Sequence, residues 1–176
     1  MNTPIITSQR IILRPSAPAD AEAIFTNWAQ DPQVTKYLRW NPHKSIEETQ
    51  QFVTRMAKTI PDSNTFDWLM THKDTGEPFG SMGTYFSKAK NMFEIGYCMM
   101  QAAWGKGYAT EAATAVLDFA TTTLGQTRIY ACCAIENTAS IKVLTKIGFK
   151  YTGDATDAAF DGTEYDVHEY IYERKA

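Results

Sequence analysis

Residues 103–113 read AWGKGYATEAA. A glycine inside regular structure costs about 1 kcal/mol relative to alanine. Two of them against a helix start therefore mark a place where the backbone must turn sharply or approach something closely. The stretch follows the apolar run MFEIGYCMM (92–100) and leads into a stripe of Ala109, Ala112, Ala113, Val116, Leu117 and Ala120, with Glu111, Thr114, Asp118 and Thr121 opposite. The reading is strand, glycine turn, then a helix from about Tyr108. A helix N-terminus presents unpaired N–H groups and about half a positive charge, and glycines let the backbone close on an anion without Cβ clashes. Taken alone, the turn is a phosphate cradle or simply a tight turn. It is not a Walker loop, which needs GxxxxGK[ST], and a GxGxxG dinucleotide fingerprint fails at its third position, Thr110.

Working outward, the same alternation of elements continues. Before the turn come strand-like RIILRP (10–15), FDWLMTHK (66–73) and FGSMGTYF (79–86). Residues 18–30 carry Ala21, Ile24, Phe25 and Trp28 at helical spacing. Ser45 and Glu48 form a capping box that opens a helix through about Ile60, after the aromatic, loop-rich crossing KYLRWNPHK (36–44). After the turn come strand-like RIYACCAI (128–135), a helix NTASIKVLTKIGF with cap Asn137 and stop Gly148, a polar loop, and a last strand YDVHEYIYER (165–174). This order predicts an α/β (α+β) chain: one domain over 1–176 with a mixed sheet and helices on both faces.

Composition bounds the function. The 176 residues are 44% hydrophobic and 21% charged with a net charge of −3, so the chain is globular and has no basic field for nucleic acid. The start lacks a signal-peptide pattern, and no window approaches the ~18 apolar residues of a membrane span. Cys98, Cys132 and Cys133 lie in apolar runs without metal-ligand spacing; they read as buried thiols in a reducing cytoplasm, with no disulfide and no metal site.

Two separated motifs, WGKGYATEA and ENTASIKVLTKIGF, resemble the GNAT N-acetyltransferase superfamily. The QRIILRP and WNPHKSIEETQQFV stretches are similar to its RimJ/RimL-type branch of protein N-terminal acetyltransferases, and the likeness runs over about 8–174. The resemblance implies a twisted sheet of about seven strands, with the fourth and fifth, 92–100 and 128–135, parallel and splayed. It implies acetyl-CoA as donor. The pyrophosphate motif [QR]xxGx[GA] falls on Trp104, Gly107 and Ala109, with tryptophan in place of glutamine or arginine. The backbone of Gly105, Lys106, Gly107, Tyr108, Ala109 and Thr110 would then hold the phosphates, with Met99 and Met100 beside the pantetheine and Asn137 contacting it.

Amide formation needs a neutral amine. At pH 7 a lysine-like amine costs about 4–5 kcal/mol to deprotonate and an α-amine about 1–1.5 kcal/mol. Glu94, a carboxylate inside an otherwise apolar strand beside small Gly96 and Cys98, is the candidate general base; a structural ion pair is the alternative. The tyrosine that many family members carry seven residues after the asparagine is Leu144 here, and Ser140 resembles the serine that assists the leaving thiolate in the RimL-type branch. A strand N–H near Met99 would face the oxyanion. Trp28, Tyr37 and Trp40, with His43, border the acceptor side by the same resemblance; core or lid packing is the alternative. Residues 154–169 carry six acidic side chains and no Lys or Arg, which reads as solvated surface, with attraction of a cationic amine as the alternative; His168 reads as structural. The acceptor is expected to be a protein N-terminus. A small amine (polyamine or aminoglycoside), a non-catalytic acyl-CoA sensor and a homodimer stay open; nucleic acid and membrane are not expected as partners.

Overall fold

The computed structural model describes residues 1–59 and 64–174. Its centre is an eight-stranded sheet in the order β1-β2-β3-β4-β5-β6-β8-β7. The strands are β1 (Ile6–Thr7), β2 (Ile11–Arg14), β3 (Thr65–His72), β4 (Pro78–Ser87), β5 (Met92–Met99), β6 (Arg128–Ala134), β7 (Lys150–Ala158) and β8 (Glu164–Glu173). Every neighbouring pair is antiparallel except β5–β6.

The parallel pair is held at only two positions, Phe93↔Ile129 and Glu94↔Tyr130. Beyond Glu94, β5 keeps its partner β4 and β6 keeps its partner β8, but the two strands no longer pair with each other. The sheet is therefore split along its middle. Backbone N–H and C=O groups on the facing edges need partners wherever they are buried.

Side chains alternate across a sheet, so the register assigns two faces. Phe66, Trp68, Met70, Met82, Phe93, Ile95 and Ile129 pack against the helix α4 (Tyr108–Asp118) through Ala112, Ala113, Val116 and Leu117, and against α5 (Thr138–Lys146) through Leu144. The other face offers Leu69 and Cys98 to α1 (Ala21–Ile24), α2 (Pro32–Thr35) and α3 (Ile46–Thr59), through Ile24, Val34 and Val53, and to Trp28 in the turn after α1.

The structure differs from the sequence reading in several places. The helix expected over 18–30 is broken into a 3-10 turn at Pro18–Asp20, α1, and a π turn at Phe25–Ala29; Asp31 then caps α2 by accepting from the Gln33 N–H at 2.8 Å. In the Ser45–Glu48 box, Glu48 accepts from the Lys44 N–H at 2.7 Å, one residue before the expected donor; Ile60 lies outside the described residues. Residues 150–158 are a strand, not a polar loop, and a short strand at Ile6–Thr7 precedes the first one expected; together they make eight strands instead of about seven, and the added β1 puts the splayed pair fifth and sixth. β7 lies at the sheet edge and is held by its backbone pairing to β8, so its side chains need not be apolar. Thr121, expected to face solvent, is 6% exposed: the helix widens into a π turn at Phe119–Thr123, which moves it inward.

Candidate active site

The glycine turn is built as an anion cradle. Gly105 (φ 72°) and Gly107 (φ 81°) both lie in the left-handed region, and Gly107 is the N-cap of α4, where no side chain caps the helix. The turn is tied down from behind. Arg10 donates through Nη1 to the Lys106 carbonyl at 3.0 Å, pairs through Nε with Glu111 at 2.7 Å, and lies 4.6 Å from the Tyr108 ring centroid. Ser8 also donates to Glu111, at 2.6 Å. Glu111, read from sequence as an outward residue, thus anchors the loop to the β1–β2 hairpin. Trp104 donates its indole N–H to the Met99 carbonyl at 2.8 Å while its ring stays 44% exposed. This is the physical reason for a tryptophan there: it pins the turn to the end of β5, a task that does not require a charged side chain.

Across the split, α5 begins as the sequence predicts. Asn137 accepts from the Ser140 N–H at 3.1 Å, and Gly148 (φ 97°) follows its last turn. The Ser140 hydroxyl shares a hydrogen bond of 2.9 Å with the phenol of Tyr97 on β5. Tyr97 was not singled out from sequence; burial pushes its hydroxyl up to about 12, with the Ser140 contact working against that. Met99 and Met100 sit partly buried at the end of the same strand, packed on the core.

The opposite face of the sheet carries the charged groups. Glu94 is 6% exposed and pairs with Arg39 Nη1 at 2.9 Å. Arg39 also pairs through Nε with Asp157 at 2.7 Å, donates to the Tyr85 hydroxyl, and reaches the Cys132 sulfur at 3.4 Å. Tyr165 donates to Asp157 at 3.3 Å. Burial by itself would lower the Arg39 pKa, but Glu94, Tyr85 and Cys132 around it outweigh that, and the guanidinium is held above its usual value. Burial, with Glu94 next, pushes the Cys132 thiol up to about 12. Cys98, Cys132 and Cys133 are free thiols, but Cys132 belongs to this charged cluster rather than to a plain apolar interior.

One row along that face, Asp67 (β3) stands opposite Gly83 (β4), which stands opposite Gly96 (β5). A Cβ on Gly83 would lie 3.3 Å from Asp67 Oδ1, and one on Gly96 would meet nothing within 4 Å. Gly96 is exposed although it lies on a central strand, so the sheet face is open here, between the helices on one side and the Arg39 loop on the other. Burial among its neighbours raises the Asp67 carboxyl to about 7.

The acceptor-side residues separate. Trp28 is a core residue at 2% exposure and has no surface to offer a substrate, because the π turn points it at Ile24 and Val53 instead of the cleft. Trp40 packs on the same cluster with His43, ring centroids 5.3 Å apart. Tyr37 lines a cavity of about 450 Å³ together with Leu38, Asn41, Ala134, Asp161 and Asp166. Asp154, Asp161, Glu164 and Asp166 are exposed, as a solvated surface requires, while Asp157 and Glu169 are half-buried; several of them also have partners, since Asp157 holds Arg39, Asp161 accepts from Asn41 at 2.7 Å, Asp154 pairs with His168 at 2.6 Å, and Glu169 binds Tyr130 at 2.8 Å and Lys90. Among the described residues no group of three or more His, Cys, Asp or Glu could hold a metal ion.

A split parallel pair, a glycine cradle and a capped serine helix now stand together, and the profile of the acetyltransferase (GNAT) domain matches residues 10–150. The chain belongs to the GNAT acetyltransferases. It is similar to YoaA of Bacillus subtilis, described as an uncharacterized N-acetyltransferase, with 32% identity over 95% of each chain. A GNAT-family acetyltransferase from Bacillus anthracis superposes with a TM-score of 0.83 at 25% identity, covering 96% of this chain and 98% of that one. RimL, a ribosomal L7/L12 α-N-protein acetyltransferase solved with coenzyme A, shares the fold at a TM-score of 0.84 and 20% identity, over 97% and 98% of the two chains. In this GNAT acetyltransferase the sequence reading missed Arg10, Arg39, Asp67 and Tyr97. Only the interior glycines of FGSMGTYF and EIGY hinted at the open face, since glycine in a strand interior marks a close approach.

Proposed function

We propose that the chain transfers the acetyl group of acetyl-CoA to a primary amine, with a protein or peptide N-terminal α-amine as the leading acceptor, by direct attack in a ternary complex. The observation that carries this reading is the sheet split past Glu94 and Tyr130, flanked by the α4 cradle on one side and the Ser140 helix on the other. The residues fit the donor chemically. Backbone N–H groups of Gly105 through Thr110 face the pyrophosphate, helped by the α4 dipole. The unpaired edges of β5 and β6 offer partners to pantetheine amides, with Asn137 at the β6 side. Ser140, backed by Tyr97, donates a proton or hydrogen bond to the departing thiolate, and a backbone N–H near Met99 serves the oxyanion.

The acceptor enters from the other face, where Tyr37 lines the 450 Å³ cavity with the acidic Glu136, Asp161 and Asp166 against the one cation Lys36, a balance that favours a cation. An α-amine is the easier acceptor because it costs roughly 3 kcal/mol less than a lysine-type amine to neutralise at pH 7. Glu94 is the proton acceptor expected from sequence, yet its pairing with Arg39 speaks for a positioning role: protonating it would leave the half-buried guanidinium charge less compensated. We place the enzyme in the cytoplasm; no helix among the described residues is long and apolar enough to cross a membrane.

The test is CoA release, read with a thiol reagent, from acetyl-CoA and a panel of peptides with free N-termini, a polyamine and an aminoglycoside. Release with peptides above the rate of acetyl-CoA hydrolysis is expected. Preference for the small amines would move the acceptor assignment to them. Tight CoA binding with no release for any amine would make the chain an acyl-CoA sensor instead.

A further inference from the structure

We propose that Asp67 is the general base that takes the proton from the acceptor amine. The inference rests on the amine-acetyltransferase reading above and names the group that does its proton transfer.

The position carries the argument. Asp67 shares its face of the sheet with Glu94, but the two differ in what surrounds them. Glu94 is held by Arg39. Asp67 has no ion pair or hydrogen bond among the described residues. Its carboxylate leans over Gly83, whose missing side chain leaves Oδ1 3.3 Å from where a Cβ would be, and the next residue in the row, Gly96, is bare and exposed. Gly96 lies two residues past the last β5–β6 pair, on the edge of the split. Two strand spacings, about 9–10 Å, separate the Asp67 and Gly96 backbones. An amine lying on this glycine floor spans that gap, with its nitrogen between the carboxylate and the split.

Burial has raised the Asp67 carboxyl to about 7, the range in which a base is both deprotonated and able to hold a proton at neutral pH. Cys98 on β5 is the titratable neighbour facing it, and burial holds that thiol up at about 11. Tyr85, Glu94 and Arg39 lie one row away and are engaged with each other. Burial alone raises the Asp67 carboxyl; no charged neighbour contributes to the shift.

Asp67 takes one proton from the ammonium, directly or through one water, and later returns it to solvent. The freed lone pair attacks the thioester carbonyl; a C–N bond forms and the carbonyl π electrons move to oxygen. The C–S bond breaks as the carbonyl reforms, and the thiolate takes a proton from the Ser140–Tyr97 pair. The second proton leaves nitrogen and, through water, restores that hydroxyl pair.

The test compares kcat against pH for the chain and for Asp67→Asn. Both use saturating acetyl-CoA and the amine of the panel above that releases CoA fastest, with CoA affinity by calorimetry as the check on folding. Asp67→Asn should lower kcat at pH 7 by about 10²-fold or more. It should also remove the rise near pH 7, leaving only the ionisation of the amine, near 8 for an α-amine, with CoA affinity unchanged. Glu94→Gln should slow turnover while keeping the rise near pH 7. The proposal is overturned if Asp67→Asn keeps that rise, or if only KM increases, which would make Asp67 an ammonium-binding group. A chain that releases no CoA with any amine fails earlier, at the parent reading, and that outcome is distinct from both.

Discussion

Glu94 and Asp67 are two carboxylates on one face of one sheet, and their surroundings give them opposite characters. Glu94 is the more deeply placed, yet Arg39 compensates it, and Asp157, Tyr85 and Cys132 complete the shell around that guanidinium. Asp67 lies beside glycines, with space instead of partners. Burial alone does not make a base. A buried carboxylate with a cation is a strut; one without a cation holds its proton more tightly, and that is what a base at neutral pH requires.

The contrast breaks most visibly in stability. Glu94→Ala leaves Arg39 short of a counter-charge, and should cost about 3 kcal/mol. For a chain of this size that lowers Tm by roughly 6–12 °C, measured by calorimetry at pH 7. A loss below about 2 °C would mean that the pair is not the strut described.

Asp67→Asn should move the other way. Its folded pKa is raised above the unfolded value, so the unfolded chain loses its proton first as pH rises. The penalty grows between about pH 4 and 7 and is complete above 7. The amide that replaces the carboxylate is itself left without partners and keeps most of that penalty, so the substitution should raise Tm by about 2–4 °C at pH 8, with the gain fading toward pH 4. Equal Tm values across that range would remove the unpartnered carboxylate from the account.

Smaller effects sharpen the picture. Tyr97→Phe deletes the 2.9 Å hydrogen bond to Ser140, and should slow kcat by about 3–10-fold while leaving acceptor KM unchanged. Gly96→Ala meets nothing within 4 Å, so Tm should stay within about 2 °C while acceptor KM rises because the floor is raised. An unaltered KM would place the acceptor elsewhere.

The donor side was legible in the sequence because its signals are local. Gly105 and Gly107 announce positive φ, Asn137 caps the helix it precedes, and Gly148 ends it. The face opposite was not legible, for equally physical reasons. Arg39 reaches Asp157 across 118 residues from a loop with no periodic pattern. Glu94 could be flagged as out of place, but not told from a strut without seeing Arg39. Asp67 looks like the outward residue of an alternating strand, FDWL, until its register against Gly83 and Gly96 is known. β7 escaped because an edge strand held by backbone pairing needs no apolar alternation.

The most direct measurement is the titration of the Asp67 carboxyl itself, by NMR of the chain labelled with ¹³C at aspartate side-chain carboxyls and assigned by loss of one signal in Asp67→Asn. This signal is expected to titrate near pH 7 in the free enzyme. A midpoint near 4, the ordinary aspartate value, would contradict it.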